Sequence, residues 1–336
     1  MKPFRTLGVL LSGAAAAWWL LAGPSVPQTP ELLQLEAKIP LGKVMGRIDH
    51  MAVDLGRQRL LVAELGNNSV GIVDLKDRKL FRRLADLEEP QGVAHVPSTD
   101  TIYVANGGDG SVRLFGAEDY RPAGRINLTD DADNVRLDVK ANRIVVGYGG
   151  GGLALIDPAS RRKVADIRLK AHPESFQIHS ASGRIFVNVP KAREIAVVDA
   201  AAGKQTASWP MDNGSHFPMA LDESAQRVLV VFRNPATLGV FAMNDGAPVA
   251  RVGVCGDADD LWIDAKRQRV YVSCGQGFVD VFDGSNAAYR RIAHVPTAAG
   301  ARTSFFVPEL DRLFLAARAS SSEPASIWIL RPTSDR

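Results

Sequence analysis

Seven positions recur at near-constant intervals along the chain, and their residue types change from one copy to the next. Each position stands ten residues before a short apolar run that repeats through the sequence. The set is Asp49, Gln91, Asp133, Glu174, Phe217, Asp259 and Arg302. A register tolerance of one residue adds His50, Asn134, His216 and Asp260. Scaffold requirements repeat unchanged, so positions that vary among polar types are candidates for a ligand site.

This set forms an acidic ring if the seven repeats meet around one axis. With His216 taken for Phe217, it holds four carboxylates and one arginine, hence a formal charge of −3 when both histidines are neutral. Two like charges 4 Å apart repel by about 1 kcal/mol in water and by about 4 kcal/mol at an effective dielectric constant of 20. An enclosed ring of this kind is expected to bind a cation, hold protons or stay hydrated.

The donor types indicate which ions suit the ring. Carboxylates favour a hard divalent cation such as calcium, and histidine also permits zinc or another transition metal. The candidate metal ligands are Asp49, Asp133, Glu174, His216 and Asp259. The other histidines, expected to lie away from the ring, are His95, His172, His179 and His294. Of these, His179 occupies a turn position that other repeats fill with aspartate, so we expect a structural role for it.

The elements that position these residues follow from a repeat of 41 to 43 residues. The apolar runs begin at Arg59, Thr101, Arg143, Arg184, Arg227, Arg269 and Arg312. Seven β-rich copies of this length predict the four-stranded blades of a β-propeller, and no helical periodicity of 3.6 residues is visible. The sequence therefore predicts an all-β, seven-bladed propeller, with residues 26–336 as a single domain.

The last repeat is one strand short. It supplies an inner strand near 302–307, a second near 313–316 and a third at 326–330. Residues 33–41 alternate apolar and polar side chains, as a half-buried strand does, and Pro40 within them suits an edge position. We expect this N-terminal strand to complete the last blade and close the ring.

Two tetrapeptides link the repeat to a known family. The segments Tyr103-Val104-Ala105-Asn106 and Tyr271-Val272-Ser273-Cys274 resemble the repeat of the YVTN-type β-propeller family. The resemblance extends over residues 33–332, although other blades replace the tetrapeptide. It implies the propeller scaffold without a particular chemistry, because this scaffold carries unrelated activities.

Eight aspartates repeat at fixed places and are expected to stabilise turns, not to take part in chemistry. An aspartate side chain accepts hydrogen bonds from nearby backbone amides, which every blade turn needs. Those five residues before an apolar run are Asp54, Asp138, Asp222 and Asp264. Those at the ends of third strands are Asp74, Asp157, Asp199 and Asp283.

The first 25 residues have the layout of a secretory signal peptide. Lys2 and Arg5 precede an uncharged apolar run over residues 7–22, which is short for a membrane span. An uncleaved membrane anchor is the alternative, because residues 21–23 form a poor cleavage site. We expect export to a bacterial periplasm. An oxidising compartment allows a disulfide between Cys255 and Cys274, with two buried thiols as the alternative.

Composition excludes one class of partner and leaves two functions open. The net charge is +3 and no run of five basic residues occurs, so the linear sequence carries no nucleic-acid footprint. We expect a monomeric, non-catalytic protein that binds a small ligand, an ion or a partner protein on its polar top face, without membrane insertion after cleavage. The alternative is a metal-assisted hydrolase of the lactonase-propeller type, by architectural analogy.

Overall fold

The computed structural model describes residue 1 and residues 31–334. The expected signal peptide therefore lies outside the described residues. Residues 32–334 form seven four-stranded antiparallel sheets. The innermost strand of each sheet contacts the innermost strands of both neighbouring sheets, so the blades form a ring around a central channel. Within the described residues, no helix is long and apolar enough to cross a bilayer.

Residues 31–334 contain twenty-eight strands. The first strand is β1 (Leu33–Pro40). Blade one contains β2 (Met51–Asp54), β3 (Arg59–Glu64), β4 (Ser69–Asp74) and β5 (Lys79–Leu84). Blade two contains β6 (Pro90–Val96), β7 (Thr101–Asn106), β8 (Ser111–Gly116) and β9 (Pro122–Asn127). Blade three contains β10 (Ala132–Asp138), β11 (Arg143–Tyr148), β12 (Gly152–Asp157) and β13 (Arg162–Arg168).

The remaining blades continue the same order from the channel outward. Blade four contains β14 (Phe176–Ile178), β15 (Arg184–Val189), β16 (Glu194–Asp199) and β17 (Lys204–Pro210). Blade five contains β18 (His216–Asp222), β19 (Arg227–Arg233), β20 (Ala236–Ala242) and β21 (Pro248–Gly253). Blade six contains β22 (Ala258–Asp264), β23 (Arg269–Cys274), β24 (Phe278–Asp283) and β25 (Arg291–Pro296). Blade seven contains β26 (Thr303–Val307), β27 (Arg312–Ala317) and β28 (Ser326–Pro332), with β1 outermost. Short 3₁₀ turns lie at Leu65–Asn67, Pro97–Thr99, Pro190–Ala192 and Pro308–Leu310.

The repeated apolar run is continuous because both faces of each blade are buried. Successive side chains of a strand point to opposite faces. In β3, Leu60 and Val62 therefore pack toward blade seven, whereas Leu61 packs toward blade two. Each of the seven core clusters lies between two neighbouring blades, and together these interfaces hold the ring.

The N-terminal strand closes the ring, as predicted. β1 pairs antiparallel with β28, with Ile39 opposite Ile327, and the last sheet has the order β1-β28-β27-β26. Ile39 is fully buried in the core between blades seven and one. Two charged contacts reinforce the pairing: Arg312 donates from Nε and Nη2 to the carboxylate of Glu36 at 2.6 and 2.8 Å.

The turn assignment of the repeated aspartates is confirmed. The carboxylate of Asp54 accepts the amide of Arg57 at 3.1 Å, three residues on. The same acceptor role is filled by Asp138, Asp222, Asp264, Asp74, Asp157, Asp199 and Asp283. His179 takes this place in blade four, where its Nδ1 accepts the amide of Ser182 at 3.2 Å, so its structural role is confirmed as well.

Blade six contains the disulfide between Cys255 and Cys274, whose Cα atoms lie 5.8 Å apart. Cys274 ends β23, and Cys255 lies in the segment that leads into β22. Both residues are buried, so the bridge lies inside the core between blades five and six.

Candidate functional site

One mouth of the channel opens into a cavity of about 560 Å³ to which all seven blades contribute. The structure places most of the sequence-derived set in its wall, at the starts of the innermost strands. These residues are Asp49, His50, Gln91, Asp133, Asn134, Glu174, Phe217, Asp259 and Arg302. The ten-residue offset therefore locates the mouth of the channel.

His216 is not part of this wall. It is fully buried, with Nε2 3.0 Å from the carbonyl oxygen of Glu194 and Nδ1 3.2 Å from that of Asn213. Its neighbour Phe217 lines the cavity instead, beneath the guanidinium of Arg233 at 4.0 Å. The pairing register of β18 with β19 shifts between His216 and Met219, and such a bulge re-aims the side chains beside it. The expectation that His216 is a metal ligand is therefore wrong.

Asp260 also lies outside the mouth, between the inner strands of blades six and seven. Its Oδ2 accepts the backbone amide of Ser304 at 2.7 Å, and its side chain is buried. Burial, with a smaller contribution from Asp259, raises the pKa of Asp260 to about 7. A register shift between Ala258 and Asp260 separates the two neighbouring carboxylates, so that only Asp259 lines the cavity.

Arginines neutralise part of the ring, and of these the sequence set contained only Arg302. Arg47 Nη2 lies 2.8 Å from Asp49 Oδ2, and Arg302 Nε lies 2.9 Å from Asp259 Oδ2. Arg233 forms a second ion pair with Asp259. The lining holds six carboxylates and four arginine or lysine side chains, hence −2 with neutral histidines. The charged residues of the sequence set, which carry −3, all lie in the wall, but side chains from other loops also reach the mouth and bring the charge of the whole lining to −2.

His172 is a site residue that the sequence reasoning placed elsewhere. It lines the cavity, with Nε2 3.8 Å from Asp133 Oδ2 and Nδ1 2.7 Å from the carbonyl oxygen of Gly149. Burial opposes its positive charge, but the carboxylate of Asp133 and the hydrogen bond with Gly149 outweigh this and raise the pKa of His172 to about 9. His172 precedes Glu174 by two residues, whereas the sequence set allowed a shift of only one. A wider allowance around Glu174 would have included it.

Two carboxylates of the mouth, Glu174 and Asp49, lie in an environment that favours their neutral forms. Burial, followed by repulsion from Asp133, raises the pKa of Glu174 to about 6. Burial also raises the pKa of Asp49, although Arg47 and His50 favour its charged form. The negative charges of these carboxylates are therefore poorly solvated, and a bound cation would be stabilised in the cavity.

Three side chains of types that bind metal ions converge at one side of the mouth. One donor atom from each of Asp133, His172 and Glu174 lies within 4.8 Å of the other two. His50 approaches the same group, with Nε2 3.9 Å from Asp133 Oδ1. Asn134 beside them is buried, and its Oδ1 accepts no hydrogen bond from any described residue. The arrangement can hold a cation or exchange protons.

A second group of similar composition, formed by Asp54, His95 and Asp100, differs in one respect. The guanidinium of Arg57 already occupies it, with Nη1 2.9 Å from Asp54 Oδ2 and Nη2 2.7 Å from Asp100 Oδ2. The positive charge of this cluster is thus supplied by the protein itself. We assign it a structural role at the turn after β2.

Fold and cavity together define a seven-bladed β-propeller with a charged chamber at one mouth of its channel. No protein-family model matches the chain, and no curated protein matches it. Among solved structures, it is similar to Kuenenia stuttgartiensis hydrazine synthase, with a TM-score of 0.74 and 16% sequence identity. The superposition covers 87% of this chain and 98% of that chain. At this level of identity the similarity shows the fold alone.

Proposed function

We propose that this protein is a binding propeller that holds a divalent transition-metal ion at the channel mouth through Asp133, His172 and Glu174. The observation that carries the proposal is the convergence of their donor atoms within 4.8 Å. Two carboxylates and one imidazole suit a borderline ion such as zinc better than calcium, which prefers oxygen ligands alone. The ion would supply positive charge beside Asp133 and Glu174 in place of the proton on His172.

The hydrogen bond from His172 supports this assignment. Nδ1 donates to the carbonyl oxygen of Gly149 at 2.7 Å, which leaves Nε2 toward Asp133 and Glu174. Metal-binding histidines are commonly oriented by a hydrogen bond of this type from the other ring nitrogen. In the metal-free protein a proton on Nε2 occupies the same place, so metal and proton compete for it.

The size of the cavity supports binding of a further ligand on the metal. Metal–ligand bonds of about 2.0–2.2 Å require donor atoms roughly 3–3.5 Å apart, so the donor atoms of the three side chains would approach one another by at most about 2 Å on binding. Three protein ligands leave coordination positions free in a chamber of about 560 Å³. Those positions would take water or a small polar molecule.

We also propose that the protein is exported and related to the YVTN-type propellers. The charged and then apolar layout of residues 1–25 supports export, and the buried Cys255–Cys274 disulfide is consistent with an oxidising compartment. The Tyr103 and Tyr271 tetrapeptides support the relationship.

Metal analysis and calorimetry test the metal site. Protein purified without chelator should contain about one divalent ion per chain, and ZnCl₂ should bind the stripped protein. Asp133→Asn with Glu174→Gln removes two ligand charges while preserving shape. Because losing a group that only orients a ligand already weakens metal binding by about 10–100-fold, this double variant should lose more than about 100-fold in zinc affinity.

The turn aspartates supply the matched control. Asp138→Asn with Asp222→Asn makes the same chemical change away from the mouth, where each carboxylate accepts a backbone amide. This control should melt at a lower temperature and bind zinc like the wild type. Wild-type protein that binds no zinc, or a mouth variant that binds it unchanged, contradicts the proposal.

The position of His50 favours a metal-assisted hydrolase as the second candidate. An imidazole 3.9 Å from Asp133 stands where it could take a proton from a metal-bound water. Lactone hydrolysis by the zinc-loaded protein, abolished by His50→Gln with zinc affinity retained, would establish this activity. Zinc binding without turnover would leave binding as the function.

A further inference from the structure

The channel continues below the charged mouth into a second cavity of different character. It has a volume of about 410 Å³, shares His50 with the mouth and receives residues from six of the seven blades. Its walls are mainly apolar, with Leu137, Val139, Trp262 and Phe305 among them. Trp262 and Phe305 meet edge to face with ring centres 5.2 Å apart.

One cation faces this apolar space without a partner of opposite charge. Within residues 31–334, the guanidinium of Arg136 donates a single hydrogen bond, from Nη1 to the carbonyl oxygen of Val135 at 3.0 Å, and forms no ion pair. The guanidinium also lies near the ring of Phe176, whose centre is 5.8 Å away. Burial dominates and lowers the pKa of Arg136, so its charge is poorly compensated.

The two carboxylates whose fields reach Arg136 are engaged elsewhere. Asp260 accepts the amide of Ser304, and its raised pKa of about 7 leaves it about half protonated at neutral pH. Asp133 faces the histidines of the mouth, with its oxygens 3.8–3.9 Å from their Nε2 atoms. Arg136 therefore retains most of its hydrogen-bonding capacity toward the cavity.

We propose that the lower channel binds an amphipathic monoanion, namely a carboxylate with a short apolar tail. The carboxylate would pair with the guanidinium of Arg136, whose planar fork matches two carboxylate oxygens. The tail would lie against Trp262, Phe305 and Leu137, where it leaves water. A bare inorganic anion gains nothing from these walls, and a neutral apolar molecule leaves the arginine unpaired. This site is separate from the proposed metal site.

Calorimetry with three probes tests the two halves of the site. Octanoate should bind the wild-type protein with a Kd below about 1 mM, and acetate and 1-octanol should each bind at least tenfold more weakly, about 1.4 kcal/mol. Arg136→Gln should weaken octanoate binding at least tenfold and leave the weak binding of 1-octanol unchanged. Zinc should still bind at the mouth of this variant, because Asp133, His172 and Glu174 are all present, so failure of either proposal is recognisable on its own.

A matched control and a second variant keep the test decisive. Arg113→Gln makes the same change on β8, the third strand of blade two, and should bind octanoate like the wild type. Ala52→Phe keeps Arg136 but fills part of the cavity, and should weaken octanoate while sparing acetate. The proposal is overturned if wild-type protein binds octanoate no better than acetate, or if both channel variants bind it like the wild type.

Discussion

Replacing Asp260 with asparagine removes an ionisable group whose charged form is disfavoured by burial. The carboxyl group has a pKa of about 7 in the folded protein against 3.8 in an exposed reference, so the folded state holds this proton more tightly. Between about pH 4 and pH 7 the unfolded chain releases the proton first, and stability falls as pH rises. Below this window neither state is charged, and above it the full cost is present.

The size of the effect follows from the two pKa values. A difference of about 3 units at about 1.4 kcal/mol each gives a cost of up to about 4 kcal/mol at pH 8. Asparagine stays neutral, and its Oδ1 can still accept the amide of Ser304. Asp260→Asn should therefore gain stability relative to the wild type as pH rises from 4 to 8. Only the difference between the two proteins is informative, because other groups titrate in both.

Urea unfolding of both proteins at pH 4.5, 6 and 8 measures this difference. Asp264→Asn on the same strand is the control, because it removes an ion pair with Arg267 at 2.9 Å and should lower stability at pH 6 and above. If the difference in unfolding free energy between Asp260→Asn and wild type changes by less than about 0.5 kcal/mol from pH 4.5 to pH 8, the reasoning is refuted.

Two further predictions concern the architecture. Deleting residues 32–41 removes Leu33, Ile39 and Leu41, which are fully or almost fully buried and whose burial is worth about 1.5–3 kcal/mol each. The truncated protein should therefore be destabilised by more than about 5 kcal/mol. A melting temperature within about 2 °C of the full-length protein would show that the ring is closed elsewhere. Protein purified from an oxidising compartment without reductant should resist alkylation of Cys255 and Cys274, and replacing both with serine should cost about 3 kcal/mol because the bridge closes a loop of 19 residues. Complete alkylation without reductant would contradict this.

The repeat predicted the fold because a four-stranded blade has a nearly fixed length. The period of 41 to 43 residues therefore gave the blade number, and alternation over residues 33–41 identified the closing strand. The same regularity separated turn aspartates such as Asp54 from the ring. These inferences depend only on local periodicity, which the sequence displays directly.

The composition of the site could be predicted only in part, because it depends on which way each inner strand turns its side chains. Bulges at the starts of the inner strands decide this, so Phe217 faces the cavity while the adjacent His216 is buried. Counting a fixed offset also misses loops of variable length. His172 and Arg47 enter from such loops, and they change both the ligand set and the charge of the mouth.

The pairing of β1 with β28 sets the order in which the molecule can be completed. Residues at the start and end of the described propeller meet there, as in the contact of Lys38 with Glu323, 285 positions apart in sequence. Contacts of such high separation form late, after the entropy of closing a long loop has been overcome. During synthesis β1 cannot pair until β28 has been made, so the ring cannot close until nearly all of the described propeller is available.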